Sequence, residues 1–385
     1  MKTFCFKLYQ SQHNNRLHRL INLAGLAYNH CIALHRRYYR LFGKYIHKFA
    51  LQKHITKLKR TNRFAFMRLL NSQALQDVIA RVDRAYNLFW ANLKRKVKCS
   101  PPKFKAVRRY QSFTLHQHGW KLDEVKHSVY ICGHWYGYFF SRKISGKVKA
   151  VTVKRDRLGD FYIYIACDTQ SEQVKLRSGK SVGLDFGLKT FLTASDGNDV
   201  ISPEFFRKNA RIIRRLSRKL SRTQKTSRNH ERARKNLARA YRRISNLRTD
   251  FHYKTARKLC ERYAVICLET LNLRGMRKLW GRKINDLCFY AFVKILEWEA
   301  LKFGTRIVFV PQFFPSSQLC HVCGFKYEGV KDLRVREWDC PQCGSHHDRD
   351  RNAAINILRG GASSHEGEPV RPEQSGRLVE SAIQL

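Results

Sequence analysis

Val182-Gly183-Leu184-Asp185-Phe186-Gly187 places one aspartate inside an otherwise apolar run bounded by glycines. The pattern predicts a strand, and a carboxylate on a core-facing strand is costly to desolvate unless something compensates its charge. Two other carboxylates occupy comparable positions. Ala264-Val265-Ile266-Cys267-Leu268 is a short buried-strand run that closes on Glu269. Asp350 begins a helix in which Ala353, Ala354 and Ile357 follow at spacings of three, four and seven, so all four share one face. Taken singly, each acid reads as a strand end, an edge residue or a helix cap. Together they make sense if two strands and a helix start converge on divalent cations that relieve carboxylate repulsion; Mg²⁺ takes oxygen ligands and keeps positions for phosphate and water. Asp348 competes for the helix-start role, and Asp350 is preferred because it shares a face with the residues that pack the helix down.

Around these runs the pattern alternates between strand and helix. Residues 181–201 read as strands with a hairpin turn at Asp196-Gly197. Ser202 as N-cap, Pro203 at the first helical position and Glu204 at the positive end of the dipole predict a helix starting there. A loop rich in Lys, Arg and Gly at 274–283, an amphipathic helix over 286–302 and a strand Arg306–Val310 complete an α/β sheet covered on its faces. Upstream, residues 15–95 read as helical, with Leu75, Val78, Ile79, Val82, Ala85, Tyr86, Phe89, Trp90 and Leu93 as the clearest stripe. Pro101-Pro102 forbids continuation. From there to about 170 the pattern is strand-like: Val148, Ala150 and Thr152 alternate with Val151 and Val153, Asp156–Asp160 turn, and Phe161–Ile165 return. A small β-barrel-like domain interrupted by the helical block is the expectation. Beyond Gly360-Gly361 the chain turns to Ser, Glu, Pro and Gln, the composition of a disordered tail over 361–385.

The charge balance names the partner class. In 385 residues, 76 Lys and Arg stand against 29 Asp and Glu, a formal charge of +47. That exceeds any need of solubility and calls for a polyanion. No apolar run is long enough to span a bilayer and Met1-Lys2-Thr3 opens no secretory signal, so nucleic acid outweighs a lipid surface. Residues 207–248 hold 17 Lys or Arg and the single acid Glu231, with Leu237, Tyr241 and Ile244 on one stripe. Intrahelical ion pairs cannot balance such a ratio, whereas phosphates can. Candidate contacts are Arg211, Arg214, Arg215, Arg218, Arg239, Arg242 and Arg243, joined by Lys103 and Lys105. Beside phosphate, two Mg²⁺ ions about 4 Å apart would activate a water and stabilise the departing 3′-oxygen of a phosphodiester.

Eight cysteines (Cys5, Cys31, Cys99, Cys132, Cys167, Cys260, Cys267, Cys288) are scattered singly, as small core residues in a reducing compartment. The other four form Cys320-x-x-Cys323 and Cys340-x-x-Cys343, sixteen residues apart, the spacing of a four-thiolate zinc ribbon. Gly324 and Gly344 follow the second cysteine of each pair, where a turn can need positive φ. Four thiolates close the coordination shell, so this Zn²⁺ is structural, and His346 and His347 are expected at the surface.

The order Gly183-Leu184-Asp185-Phe186-Gly187, Cys267-Leu268-Glu269, Pro315-Ser316-Ser317-Gln318-Leu319-Cys320 and Asp348-Arg349-Asp350-Arg351-Asn352-Ala353-Ala354 resembles the RuvC-type nuclease and zinc-ribbon region of TnpB, shared with the type V CRISPR effectors. The resemblance is close over 181–358, including Asp250–Lys254, fair at Pro102-Lys103-Phe104-Lys105 and along the 147–167 hairpin, and faint before residue 100. It implies an α/β multidomain protein with an RNase H-like (RuvC) domain over 181–315 and 346–360, a basic helical hairpin at 203–262 and a zinc ribbon inserted at 316–345. A wedge-like β domain over 1–10 and 100–175, with a helical recognition insert at 11–99, is also implied. The activity implied is Mg²⁺-dependent cutting of double-stranded DNA paired with a guide RNA from a transposable element's end, with Asp185, Glu269 and Asp350 as the acidic triad. The rivals are a nuclease-silent RNA-guided DNA binder and a strand-transferring transposase.

Overall fold

The computed structural model describes residues 1–169, 174–271, 281, 286–332 and 334–363. The chain divides into two compact units, Met1–Ser171 and Glu172–Leu385. The expected loop at 274–283 falls almost wholly outside the described residues, as does the tail from 364 onward.

The first unit has two antiparallel sheets and a helical block. Strands β1 (Lys2–Lys7), β2 (Ser112–Leu115), β6 (Lys147–Arg155) and β7 (Phe161–Asp168) form a sheet in the order β1-β7-β6-β2. Strands β3 (Trp120–Asp123), β4 (Ser128–Ile131) and β5 (His134–Gly137) form a second, and a bridge between Leu8 and Tyr138 links the ends of β1 and β5. A bulge between Val148 and Ala150 resets the parity of β6, so that Val151 and Val153 point to the core with Ile163 and Ile165 of β7.

Helices α1 (Asn14–Phe42), α2 (Lys48–Leu58) and α3 (Ser72–Lys94) occupy the helical region expected over 15–95. Gly43 in a left-handed conformation ends α1, and the Asn71 side chain caps α3 by accepting the Gln73 N–H. On α3 the stripe residues Leu75, Val78, Ile79, Val82 and Tyr86 are buried, whereas Leu93 is exposed. Asp77, buried on α3, accepts the Thr114 N–H of β2 at 2.9 Å and pairs with Arg81, pinning helix to sheet.

In the second unit a mixed sheet carries the strands in the order β10-β9-β8-β11-β12. These are β8 (Ser181–Phe186), β9 (Thr190–Ala194), β10 (Val200–Ile201), β11 (Val265–Glu269) and β12 (Arg306–Val310). β8, β11 and β12 are parallel, and β9 and β10 continue the sheet antiparallel. The apolar runs are nearly continuous because both faces are covered. Val182, Leu184, Ile266 and Leu268 pack in a core with helices α5 (Arg228–Arg262) and α6 (Phe289–Phe303) through Ala256, Leu259, Phe292 and Leu296. Val265 and Cys267 face the other way, onto Ile357 and Leu358 of α7 (Arg349–Ser363). α7 extends three residues into the expected tail.

The helix predicted from Ser202 begins differently. α4 (Phe205–Ser221) starts after Glu204, which is left-handed at φ 48° and makes no side-chain cap. Both carboxylate oxygens of Asp286, eighty positions away in sequence, accept the Phe206 N–H at 3.0 and 2.9 Å, so a distant anion fills the capping role. Among the described residues no helix is long and apolar enough to cross a membrane.

Candidate active site and metal centre

Side-chain alternation determines which strand residues look toward α7. Leu184 and Phe186 lie in the α5–α6 core, so Gly183 and Asp185 project to the opposite face. On β11, Glu269 has the parity of Val265 and Cys267, which pack under α7. Leu184 pairs with Leu268 in the parallel register, which places Asp185 and Glu269 at neighbouring carboxyl ends. Asp350 sits in the first turn of α7, whose Ala353, Ala354 and Ile357 are buried. The absence of a side chain at Gly183 lets this helix lie directly on β8, since a Cβ there would come within 2.1 Å of the Ala354 carbonyl oxygen.

The electrostatics reflect this proximity. Burial, and then repulsion from Glu269 and Asp350, hold the Asp185 carboxyl well above the usual carboxylate range, with Arg349 opposing the shift. Burial also raises Glu269. The three side chains repel one another without meeting at a point: among the described residues, only the four thiols discussed below bring three or more potential ligand atoms within 4.8 Å of one another. Asp350 is turned toward Arg336, whose Nη1 lies 3.3 and 3.4 Å from its two carboxylate oxygens. A set of three hard oxygen donors whose mutual repulsion raises one of them suits divalent cations in charge and ligand type.

Asp348 has a separate task. Its Oδ1 accepts the Arg351 N–H at 2.8 Å, capping α7, which leaves Asp350 as the acid of the first turn free of capping.

The thiols of Cys320, Cys323, Cys340 and Cys343 lie within 4.8 Å of one another, with Cys320–Cys343 at 3.7 Å and Cys323–Cys340 at 3.6 Å. A tetrahedral ion with Zn–S bonds of about 2.3 Å requires sulfur–sulfur edges of roughly 3.8 Å, so the cluster fits Zn²⁺. Gly324 and Gly344, at φ 80° and 68°, each return an N–H to the first cysteine of their pair. The cluster is flanked by a two-stranded sheet, β13 (Glu337–Asp339) and β14 (His346–Asp348). Alternation along β14 leaves His346 exposed and drives His347 inward beside Trp338, contrary to the surface position expected for it. His347 Nε2 lies 3.1 Å from Cys320 Sγ and 2.9 Å from Ser345 Oγ.

Of the basic candidates, Arg211, Arg214, Arg215 and Arg218 on α4, Arg239 and Arg243 on α5, and Lys103 and Lys105 are exposed. Arg242 is half-buried, and the Lys105 ammonium lies 4.7 Å from the Tyr28 ring centroid. Ile244 packs inward as expected, whereas Tyr241 stays largely exposed. Sequence reasoning missed Arg336. It carried no local signal, because its contact with Asp350 spans fourteen positions and forms only in the folded ribbon.

Comparison with known proteins adds independent findings. Residues 164–279 match the model of a family described as probable transposase, the OrfB group of IS605 elements, and residues 289–357 match that of the Cas12f1-like TNB domain. A Streptomyces pristinaespiralis protein named as a candidate RNA-guided DNA endonuclease is 30% identical over 336 residues, 86% of this chain and 82% of that protein. InsQ of Escherichia coli K12, which bears the same description, is 28% identical over 380 residues, 94% and 92% of the two chains. The fold is similar to that of Cas12f1 in a solved complex with single-guide RNA and target DNA, at a TM-score of 0.55, 13% identity, and coverage of 90% of this chain and 83% of that one.

Proposed function

Since the chain belongs to the TnpB family, we propose that it is a metal-dependent nuclease, encoded by a transposable element, that cuts double-stranded DNA at a site chosen by a bound guide RNA. The observation that carries this reading is that Asp185, Glu269 and Asp350 lie on one face of the sheet at its carboxyl edge, where burial, and then repulsion from Glu269 and Asp350, raise Asp185. Catalytic sites in open α/β sheets favour that edge.

In this reading residues 181–315 and 346–360 are an RNase H-like (RuvC) domain. Its sheet order, with three parallel strands flanked by an antiparallel pair, supports the assignment. Residues 316–345 are the inserted zinc ribbon, residues 1–10 and 100–175 a wedge-like barrel, and 11–99 its recognition insert. Asp185, Glu269 and Asp350 hold Mg²⁺, which when bound supplies Lewis acidity to the phosphodiester and an acidified water. Arg336, which pairs with Asp350, would be free to take a backbone phosphate oxygen once a cation neutralised that carboxylate, a role for which its planar fork is suited. The four cysteines hold Zn²⁺ in a closed shell, so that ion stabilises the fold and has no open coordination position. Exposed arginines of α4 and α5 neutralise nucleic-acid phosphates, and base pairing with the guide supplies the sequence specificity. The setting is the bacterial or archaeal cytosol, at the nucleoid.

The test is to purify the chain with its retained RNA, sequence that RNA, and incubate the complex with a matched plasmid and Mg²⁺. Linear product is expected, and Asp185→Ala or Glu269→Ala should abolish cutting while plasmid binding persists. A wild-type complex that shifts the plasmid and leaves it intact would sink the nuclease reading in favour of a binder.

A further inference from the structure

Phe313 is 90% exposed, the most exposed aromatic side chain among the described residues; the next, Phe42, is at 59%. Single exposed apolar residues are ordinary, but this one is held outward by its surroundings. It lies in Pro311-Gln312-Phe313-Phe314-Pro315, where two prolines fix φ and the Phe314 N–H closes a turn onto the Pro311 carbonyl at 3.0 Å. Phe314 plugs the loop down, packing with Cys267, Val310 and Ile357 under α7, and its ring would lie 3.0 Å from any Cβ added at Gly360. A half-buried neighbour and two prolines thus pre-organise Phe313 in solvent.

The loop also leaves the sheet at a particular place. Val310, the last residue of β12, pairs with Glu269 in the parallel register, and its carbonyl accepts both the Thr270 N–H and Oγ1 at 3.3 and 2.9 Å. The exposed ring therefore stands on the carboxyl edge of the sheet next to the strand that ends in Glu269. The segment 311–319 contains neither acid nor base, so no charge of its own repels a strand, and the chain's overall +47 favours a polyanion that brings flat apolar groups with it. A nucleic-acid strand has both, and an aromatic ring accepts any base because every base has a π-face.

We propose that Phe313 stacks on an unpaired base of the DNA strand being cut and so holds the adjoining phosphodiester at the acidic site. This rests on the nuclease reading above. Phe313 is a positioning residue: it orients the strand and takes no part in bond making or breaking.

The test uses the full chain with its retained RNA, and Asp185→Asn to prevent cutting. Phe313→Trp in that background should lose indole fluorescence on addition of a single-stranded oligodeoxythymidine, and should keep it when an abasic oligonucleotide of equal length and charge is added. Phe313→Ala should weaken oligodeoxythymidine binding by about tenfold, with an unchanged salt slope, because stacking is not electrostatic. With Asp185 intact, Phe313→Ala should raise KM for cutting, and Phe313→Tyr should restore it. No quenching, equal loss of the abasic oligonucleotide, or unaltered affinity in Phe313→Ala overturns the proposal. Base-dependent quenching in Phe313→Trp, together with a wild-type complex that never cuts DNA, would support the stacking role and remove the nuclease reading alone.

Discussion

Replacing Gly183 with alanine tests whether the acidic site depends on helix α7 lying flat on strand β8. The new methyl would sit 2.1 Å from the Ala354 carbonyl oxygen, 2.6 Å from the Leu358 nitrogen and 2.9 Å from Leu358 Cβ. All three are backbone or first side-chain atoms, so no rotamer change relieves the clash. Restoring ordinary contact at 3.4 Å requires α7 to retreat by roughly 1 Å. Overpacking of this kind destabilises by about 1–3 kcal/mol, partly offset by the ~0.4–1 kcal/mol that alanine gains over glycine through the unfolded chain. A net ~1–2 kcal/mol lowers Tm by a few degrees in a unit of this size. The larger effect falls on chemistry, because α7 carries Asp350, and a misplacement of about 1 Å can cost roughly 100-fold in rate. Plasmid cleavage by the guide complex, timed at a temperature where both proteins are folded, reads this directly. Gly183→Ala that melts lower but cuts at the wild-type rate would refute the coupling of α7 to the site, and one that also melts like wild type would refute the close packing itself.

Arg336→Ala should lower cleavage by ~10–100-fold and leave Tm within a degree or two, since an exposed ion pair contributes little to stability; full activity in this variant would remove Arg336 from phosphate binding. Stripping the thiol cluster with a strong chelator, or Cys320→Ser, should release one zinc per chain and lower the melting temperature; an unchanged melt would contradict a structural ion. His252, buried with its Nε2 3.0 Å from the Leu287 carbonyl oxygen, has its pKa lowered to about 4, first by desolvation. Between pH 6.5 and 4 the unfolded chain therefore binds the extra proton, and stability falls as pH drops through that window. The contribution is about 2 kcal/mol between pH 7 and 5, read as the difference in urea midpoint shift between wild type and His252→Phe; parallel shifts would refute it.

Local signals survived into the structure where each could be satisfied by its neighbours in sequence. Arg306–Val310 forms β12 with the expected ends because an apolar run with charged or glycine flanks has few other solutions in a covered sheet. The cysteine knuckles follow from spacing alone, and the place of Asp350 in the first turn of α7 from helical period. What escaped was set by partners far along the chain. Glu204 looked like a dipole-compensating residue, but the anion at α4 is Asp286, which no window around residue 204 contains. The β6 bulge flips which valines are inside, and it depends on pairing with β7. His347 and Trp338 turn inward only because β13 and β14 pair, which hydropathy around residue 347 does not encode. Arg336 became visible only once the ribbon had folded back over Asp350.

β14 runs into α7 without a linker: Asp348 ends the strand, caps the helix and is followed by Arg349 as the first helical residue. The thiol cluster and the acidic helix are therefore joined like a handle and its blade, with no slack to absorb relative rotation. A displacement of the ribbon therefore reaches Asp350 within one turn of helix, because no flexible residue separates the two.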